Sequence, residues 1–133
     1  MRGGDVRVLV VDDEELFRTV GRALVEATAG FVLAGEACSG ETALERVAEL
    51  SPDLVVMDHR MPGLDGIAAT RLITERHPGT SVVLVSAGPL EDGALDGCGA
   101  LAFVRKQHLS PKRLREVWAG RASRVGSTVR PDS

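Results

Sequence analysis

Aromatic side chains are scarce in this chain of 133 residues, where they make up 3% of the sequence and include no tyrosine. A surface that binds nucleic acid by stacking bases on aromatic rings is therefore not expected. Two cysteines, Cys38 and Cys98, lack a CxxC motif and a histidine at metal-binding spacing. They predict reduced thiols that act as small packing residues, and they argue against a disulfide framework or a zinc site. The three histidines are isolated, and surface positions are expected for all of them.

Long hydrophobic runs are also missing from the chain. No apolar run approaches the roughly 20 residues that a membrane-spanning helix requires. The N-terminal apolar stretch ends at Asp12, which is too early for the hydrophobic region of a signal peptide. These absences predict a cytoplasmic protein with no membrane partner.

The rest of the composition is that of an ordinary globular domain, with 44% apolar and 26% charged residues. The net charge of −3 is unevenly distributed. Residues 1–103 carry 17 acidic and 8 basic side chains, whereas residues 104–133 carry 2 acidic and 8 basic ones. The basic segment is suited to an acidic partner, but it has no recognition helix, so no nucleic-acid binding is expected of this chain alone.

Five short apolar runs, mostly continuous and β-branched, are typical of strands that are buried on both faces. They are Val6–Val11, Phe31–Ala37, Leu54–Met57, Ser81–Val85 and Leu101–Val104. Apolar residues recur at helical spacing between them, as at Phe17, Val20 and Leu24, so the alternation predicts a parallel sheet with helices on both faces. The predicted fourth helix, within 88–97, contains three glycines and a proline and should be short or irregular. We expect one domain over residues 5–119 and a disordered tail or linker over 120–133.

Polar residues follow the predicted strands at the carboxyl edge, where open parallel sheets bind their ligands. They are Asp12, Asp13, Asp58, Ser86 and Lys106. Singly, each has an ordinary structural explanation, because aspartate and serine cap helices and turns and a lysine can end an exposed strand. Together, three carboxylates would repel one another, and a hard divalent cation such as Mg²⁺ resolves this repulsion. A carboxylate beside Mg²⁺ is also placed to attack a phosphoryl group and form an aspartyl phosphate.

Four blocks of the sequence resemble the receiver domain of two-component response regulators. They are residues 8–14 (VLVVDDE), 55–66 (VVMDHRMPGLDG), 85–87 (VSA) and 103–106 (FVRK). The resemblance covers about residues 5–119 and implies a flavodoxin-like (βα)₅ fold with strand order 2-1-3-4-5. The run Lys106–Pro111 resembles, more particularly, the receivers of LuxR/NarL-type transcription regulators.

The resemblance also implies roles for individual residues. Asp58 would be the phosphoacceptor, and Lys106 would contact the phosphoryl group. Asp13, Asp58 and the backbone carbonyl of Arg60 would bind Mg²⁺ directly. Asp12 would reach the ion through water.

A switch and its partners are implied in the same way. Ser86 would move toward the phosphoryl group, and Phe103 matches the aromatic residue that turns inward when that hydroxyl moves. The readout would be the face formed by the fourth helix, the fifth strand and the C-terminal helix. The upstream partner would be a sensor histidine kinase or a phosphotransfer protein that docks mainly against the first helix. A homodimer formed on phosphorylation is the other partner that the resemblance allows.

Three features depart from the family's pattern. Gln107 stands where many receivers have a proline, and the interval from Ser86 to Lys106 is about two residues shorter than usual. No DNA-binding helix-turn-helix follows, so we expect either a single-domain regulator or a chain that stops at a linker. The output would then be regulation of transcription through a domain or partner that this chain lacks.

Two other functions compete with a phosphorylation switch. A degenerate receiver would keep the fold and act as a constitutive interaction module, but every acceptor-site position holds a competent residue. A Mg²⁺-dependent phosphohydrolase would usually have a second acid two residues after the nucleophile, where this chain has Arg60. We therefore expect a signalling phosphoacceptor that at most catalyses its own phosphorylation and dephosphorylation.

Overall fold

The computed structural model describes residues 5–89 and 97–121, which contain a five-stranded parallel sheet and the helices that cover it. The strands are β1 (Val6–Val11), β2 (Phe31–Ala37), β3 (Leu54–Asp58), β4 (Ser81–Ser86) and β5 (Ala102–Arg105). The helices in the described ranges are α1 (Glu15–Glu26), α2 (Gly40–Leu50), α3 (Gly66–Arg76) and α4 (Pro111–Ala119), which is the predicted C-terminal helix. The predicted fourth helix and the predicted tail fall mostly outside the described residues.

The strands lie in the order β2-β1-β3-β4-β5, and every neighbouring pair is parallel. This confirms the predicted doubly wound, flavodoxin-like architecture. Strand register then fixes the carboxyl edge: Val11 pairs with Met57, and Asp58 pairs with Val85. As a result, the residues that follow β1, β3 and β4 meet at one side of the sheet.

The core consists of two layers, one on each face of the sheet. Alternate residues of each strand point to opposite faces, so Leu9 and Val11 pack with α2 and α3, whereas Val8 and Val10 pack with α1 and α4. We call these the α2/α3 face and the α1/α4 face. Each fully buried valine or leucine contributes about 1.5–3 kcal/mol relative to its exposed state, which makes the two layers the main source of stability.

Side chains cap three of these helices, as their sequences favour. Ser39 Oγ accepts a hydrogen bond from the N–H of Thr42 at the start of α2. The Asp65 carboxylate, at the N-cap of α3, accepts from the N–H of Ala68 at 2.8 Å. Ser110 caps α4 in the same way and is followed by Pro111 at the first helical position.

Helix α1 is rotated relative to the prediction from its apolar spacing. Its buried residues are Gly21 and Val25, and Val20 is 50% exposed, so the expectation that Phe17, Val20 and Leu24 form one buried face is wrong for Val20. A Cβ at Gly21 would lie only 2.7 Å from Cγ1 of Val10, which shows how closely the helix approaches β1 there. Phe17 and Leu24 do pack against the core, so the buried face of α1 differs from the predicted one in having Gly21 in place of Val20.

The loop from β3 to α3 is packed so tightly that a glycine is required at position 66. A Cβ added there would collide with the backbone carbonyl oxygen of Asp58. It would also lie only 2.7 Å from the Cα of His59. We expect Gly66→Ala to lower the free energy of unfolding by about 1–3 kcal/mol, the usual cost of overpacking. Gly79→Ala is the matched control, because nothing lies within 4 Å of the added atom. Urea denaturation of both variants checks this, and equal losses would show that the close approach is unimportant.

Candidate functional site

The acidic residues predicted at the carboxyl edge come together in the structure. One carboxylate oxygen from each of Asp12, Asp13 and Asp58 lies within 4.8 Å of the others. Asp12 is fully buried, Asp58 is 7% exposed and Asp13 is exposed. Neither Asp12 nor Asp13 is the N-cap of α1, which is Glu14, although Asp12 Oδ1 accepts the Glu14 N–H at 2.9 Å. Capping alone therefore does not explain both aspartates.

Lys106 places its ammonium among these carboxylates. It begins a single 3₁₀ turn, Lys106–His108, directly after β5. Its Nζ lies 3.0 Å from Asp12 Oδ2, 3.5 Å from Asp58 Oδ2 and 4.0 Å from Glu14 Oε1. Burial opposes the charged lysine, but the hydrogen bond to Asp12 and the negative charges of Asp58 and Asp12 outweigh it and raise the pKa of Lys106.

Asp58 is an acid whose ionised form is disfavoured by its surroundings. Burial raises the pKa of its carboxyl group, and the charge of Asp12 raises it further. The Arg60 N–H, 3.3 Å from Asp58 Oδ1, and the Lys106 ammonium lower it but do not reverse the effect. A cation brought to this site would favour the ionised carboxylate.

Removing the charge of Asp58 is therefore expected to stabilise the fold. In metal-free buffer, Asp58→Asn should raise the free energy of unfolding by about 0.5–2 kcal/mol, the range common for single stabilising substitutions. Folding raises the pKa of Asp58 above its ordinary value of 3.8. The gain in stability should therefore be complete at pH values above the pKa of Asp58 in the folded protein. It should shrink as the pH falls from there toward 3.8. Urea denaturation across this pH range measures the effect, and a loss of stability at neutral pH would contradict it.

Ser86 and Phe103, the predicted switch residues, are both buried. Ser86 Oγ donates to the carbonyl of Gly88 at 2.7 Å and accepts the Gly88 N–H at 3.1 Å. Phe103 is 4% exposed and belongs to the core on the α2/α3 face. The serine hydroxyl is thus engaged within its own loop, and the phenyl ring points inward.

His59 is a site residue that sequence reasoning missed. Its side chain is only 13% exposed, so the expected surface position is wrong. The ring packs edge-to-face on Phe103 with centroids 6.5 Å apart, and Nδ1 lies 3.9 Å from Asp58 Oδ1. Among the described residues this buried Nδ1 has no hydrogen-bond partner.

A surface cavity of about 630 Å³ opens over the acidic cluster. It brings together most of the predicted site residues, namely Asp13, Asp58, Arg60, Ser86 and Lys106. The buried Asp12 and Phe103 are not among the residues that line it. The Asp58 carboxylate therefore faces an open cavity on the surface of the domain.

The composition of the site fits Mg²⁺. Three clustered carboxylates face one ammonium, which leaves an excess of negative charge around oxygen ligands. Mg²⁺ prefers oxygen ligands, commonly one or two carboxylates together with retained waters. The raised pKa of Asp58 points the same way, because its charge lacks full compensation from the protein.

A five-stranded parallel α/β domain with clustered aspartates and a lysine at its carboxyl edge defines a class of phosphoryl-accepting signalling domain. The sequence matches the family model of the response regulator receiver domain over residues 8–118, and the chain belongs to this family. Receiver domains act in phosphorylation-based two-component signalling, interact with histidine kinases or phosphotransfer proteins, and bind Mg²⁺ through acidic residues. Some also dimerise.

Relatives of known sequence include several kinds of response regulator. The chain is 44% identical over 81 residues to the response regulator GacA of Pseudomonas viridiflava, which covers 61% of this chain and 38% of that protein. It is 38% identical over 112 residues to a protein-glutamate methylesterase/protein-glutamine glutaminase of Alkalilimnicola ehrlichii. This alignment covers 84% of this chain and 28% of that protein. The chain thus spans less than two-fifths of the length of these two relatives.

Solved receiver domains have the same fold. The response regulator domain of Thermotoga maritima CheB superposes with a TM-score of 0.76 at 32% identity, covering 89% of this chain and 97% of that one. The receiver domain of Mycobacterium tuberculosis NarL superposes with a TM-score of 0.75 at 31% identity, covering 86% of this chain and 97% of that one. Receivers of the LuxR/NarL type are therefore among its structural neighbours. In the described ranges, no helix combines the length and apolar character needed to cross a bilayer.

Proposed function

We propose that Asp58 accepts a phosphoryl group from a sensor histidine kinase or a phosphotransfer protein, and that the chain at most catalyses its own phosphorylation and dephosphorylation. The observation that carries this proposal is the position of the Asp58 carboxylate. It lines an open cavity, 3.5 Å from the Lys106 ammonium and beside two further aspartates. No other described cluster of His, Cys, Asp or Glu has this arrangement.

The transfer needs no general base, because a carboxylate attacks in its ionised form, which a cation at this site would favour. An Asp58 oxygen forms a bond to phosphorus while the bond from phosphorus to the donor's histidine nitrogen breaks, and the imidazole leaves with the electron pair. Lys106 donates hydrogen bonds to the phosphoryl oxygens as their charge shifts in the transition state. The residues that would hold Mg²⁺ are Asp12, Asp13, Asp58 and the carbonyl of Arg60. When bound, the ion neutralises charge between acceptor and donor.

We further propose that the new charge is read through Ser86 and Phe103. The Ser86 hydroxyl now hydrogen-bonds with Gly88 at 2.7 Å, and a phosphoryl oxygen on Asp58 would compete for it. Movement of Ser86 would shift the loop after β4 and favour the inward position of Phe103, which the ring already occupies in this structure. The altered face would be that of the predicted fourth helix, β5 and α4. A homodimer formed on this face is one form that the output can take.

The exposed face of α1 supports docking of the upstream partner there. Leu16 is 78% exposed and Val20 is 50% exposed, one helical turn apart. They are two of the three large apolar side chains that are exposed among the described residues. A partner that buries both would deliver its phosphohistidine next to the cavity, because α1 begins directly beside Asp13.

We propose that residues 5–119 are the receiver domain, that residues 120–133 are a linker or tail, and that the output regulates transcription. The support is the Lys106–Pro111 run and the similarity to NarL. The position in the cell that fits this role is the cytoplasm.

The test is the mass of the intact protein after incubation with acetyl phosphate. Wild type should gain about 80 Da, one phosphoryl group, in the presence of Mg²⁺. The gain should disappear when the metal is removed with a chelator and return when Mg²⁺ is restored. Wild-type protein that stays unmodified with Mg²⁺ present would contradict the proposal and favour a constitutive interaction module.

A further inference from the structure

The ring of Phe17 lies directly against the ammonium of Lys106. Lys106 Nζ is 4.1 Å from the centroid of the ring, over its face. A cation within about 6 Å of an aromatic centroid is attracted by the negative face of the ring, and more strongly where water is excluded. Lys106 is only 16% exposed, so this contact is largely shielded from solvent.

The lysine alone does not determine where its charge resides. Its side chain is a flexible four-carbon stem that ends in a compact charge with three rotatable donors. Three carboxylates compete for this charge, at 3.0 Å (Asp12), 3.5 Å (Asp58) and 4.0 Å (Glu14). Glu14 is exposed, so its attraction draws the ammonium toward solvent. The Phe17 ring adds an apolar contact that water cannot replace.

Helix α1 holds Phe17 in a fixed position relative to the acidic cluster. Arg18 donates from Nη1 to the backbone carbonyl of Asp12 at 2.7 Å, and its Nε lies 3.8 Å from Glu36 on β2. Gly21 presses the same helix against Val10 of β1. Phe17 itself is half-buried and packs against the core of the α1/α4 face. The ring is therefore tied to the strand end that carries Asp12.

We propose that Phe17 is a positioning residue: its ring holds the Lys106 ammonium between Asp12 and Asp58, where Lys106 can meet a phosphoryl group. The consequence for transfer rests on the proposed function of Asp58. The position of the ammonium does not depend on that function, and it can be measured separately.

The rate of phosphorylation by acetyl phosphate tests the consequence. Phe17→Leu keeps an apolar side chain but removes the aromatic face, and it should slow the reaction about threefold to tenfold. Phe17→Trp should retain at least half of the wild-type rate, because the larger ring keeps the interaction with the ammonium. Phe31→Leu is the matched control: it makes the same change in the same core, at the start of β2, and should leave the rate unchanged. Equal rates for wild type and Phe17→Leu, or equal slowing in Phe31→Leu, would overturn the proposal.

Selective ¹³C labelling of lysine tests the position itself. The chain has only two lysines, Lys106 and the exposed Lys112, so each signal is readily assigned. The ring current of Phe17 should shift the Lys106 side-chain protons upfield of those of Lys112 in wild type. Phe17→Leu should remove this shift, and Phe31→Leu should keep it. A wild-type Lys106 signal without the shift would overturn the inference even if Asp58 is phosphorylated. A shifted signal without phosphorylation would leave the inference standing and reject the proposed function.

Discussion

Replacing Asp58 by asparagine is expected to abolish phosphorylation completely, so that the gain of about 80 Da is lost from the intact mass at every time of incubation. The amide has the shape of the carboxylate but no ionised oxygen to attack phosphorus. It also removes one anionic ligand for Mg²⁺. The circular dichroism spectrum should remain that of wild type, since Asp58→Asn fills the same space in the sheet.

The control is another aspartate of the same loop. Asp65 caps α3 by accepting the Ala68 N–H, and asparagine caps helices as well as aspartate does. Asp65→Asn should therefore be phosphorylated at the wild-type rate. Mass gain in Asp58→Asn, or loss of the gain in both variants, would show that the acceptor is not Asp58.

The sheet was predictable because its strands are buried on both faces. Such strands read as continuous apolar runs, and four of the five begin at the predicted residue, while β5 begins one residue later, at Ala102. Strand ends were less certain, because β3 and β4 extend by one residue into Asp58 and Ser86. These polar residues end the apolar runs although their backbones still pair with the neighbouring strands.

The acidic cluster was also predictable, since parallel strands bring their carboxyl ends to one edge. What the sequence does not contain is the register that sets distances. Val11 pairs with Met57, so Asp12 and Asp58 follow at the same level of adjacent strands. The complete burial of Asp12 and its 3.0 Å contact with Lys106 depend on this register and on the 3₁₀ turn after β5.

The environment of His59 could have been derived from strand alternation. Val55 and Met57 point to the α2/α3 face, and two residues further on His59 continues the same row. Phe103 points to that face from β5, which explains the contact between the two rings. The sequence does not make this alternation obvious, because a histidine after a strand end resembles a loop residue. Cys38 is exposed, which contradicts its predicted packing role. It follows β2, a strand at the edge of the sheet. Cys98 is buried as expected.

Replacing Lys106 by methionine is expected to be the most destabilising single change at the site in metal-free buffer. Methionine keeps the apolar stem but leaves the fully buried Asp12 carboxylate without its cation. Removing one partner of a buried ion pair costs about 3–5 kcal/mol, and the 16% exposure of Lys106 places the expected loss at the lower end, about 3 kcal/mol. Because folding raises the pKa of Lys106, the difference from wild type should persist through neutral pH and shrink only as the pH rises past 10.5.

The other lysine provides the control, since Lys112 is exposed on α4 and Lys112→Met should change stability by no more than about 0.5 kcal/mol. Mg²⁺ should stabilise Lys106→Met more than wild type, because the ion then replaces the missing ammonium beside Asp12 and Asp58, and binding to the folded state adds stability by mass action. Urea denaturation with and without Mg²⁺ measures both effects. Phosphorylated Lys106→Met should also fail to release Ser86 from Gly88, because the phosphoryl group is no longer held in place. If Lys106→Met lost no more stability than Lys112→Met, the ammonium would not be compensating the buried acid.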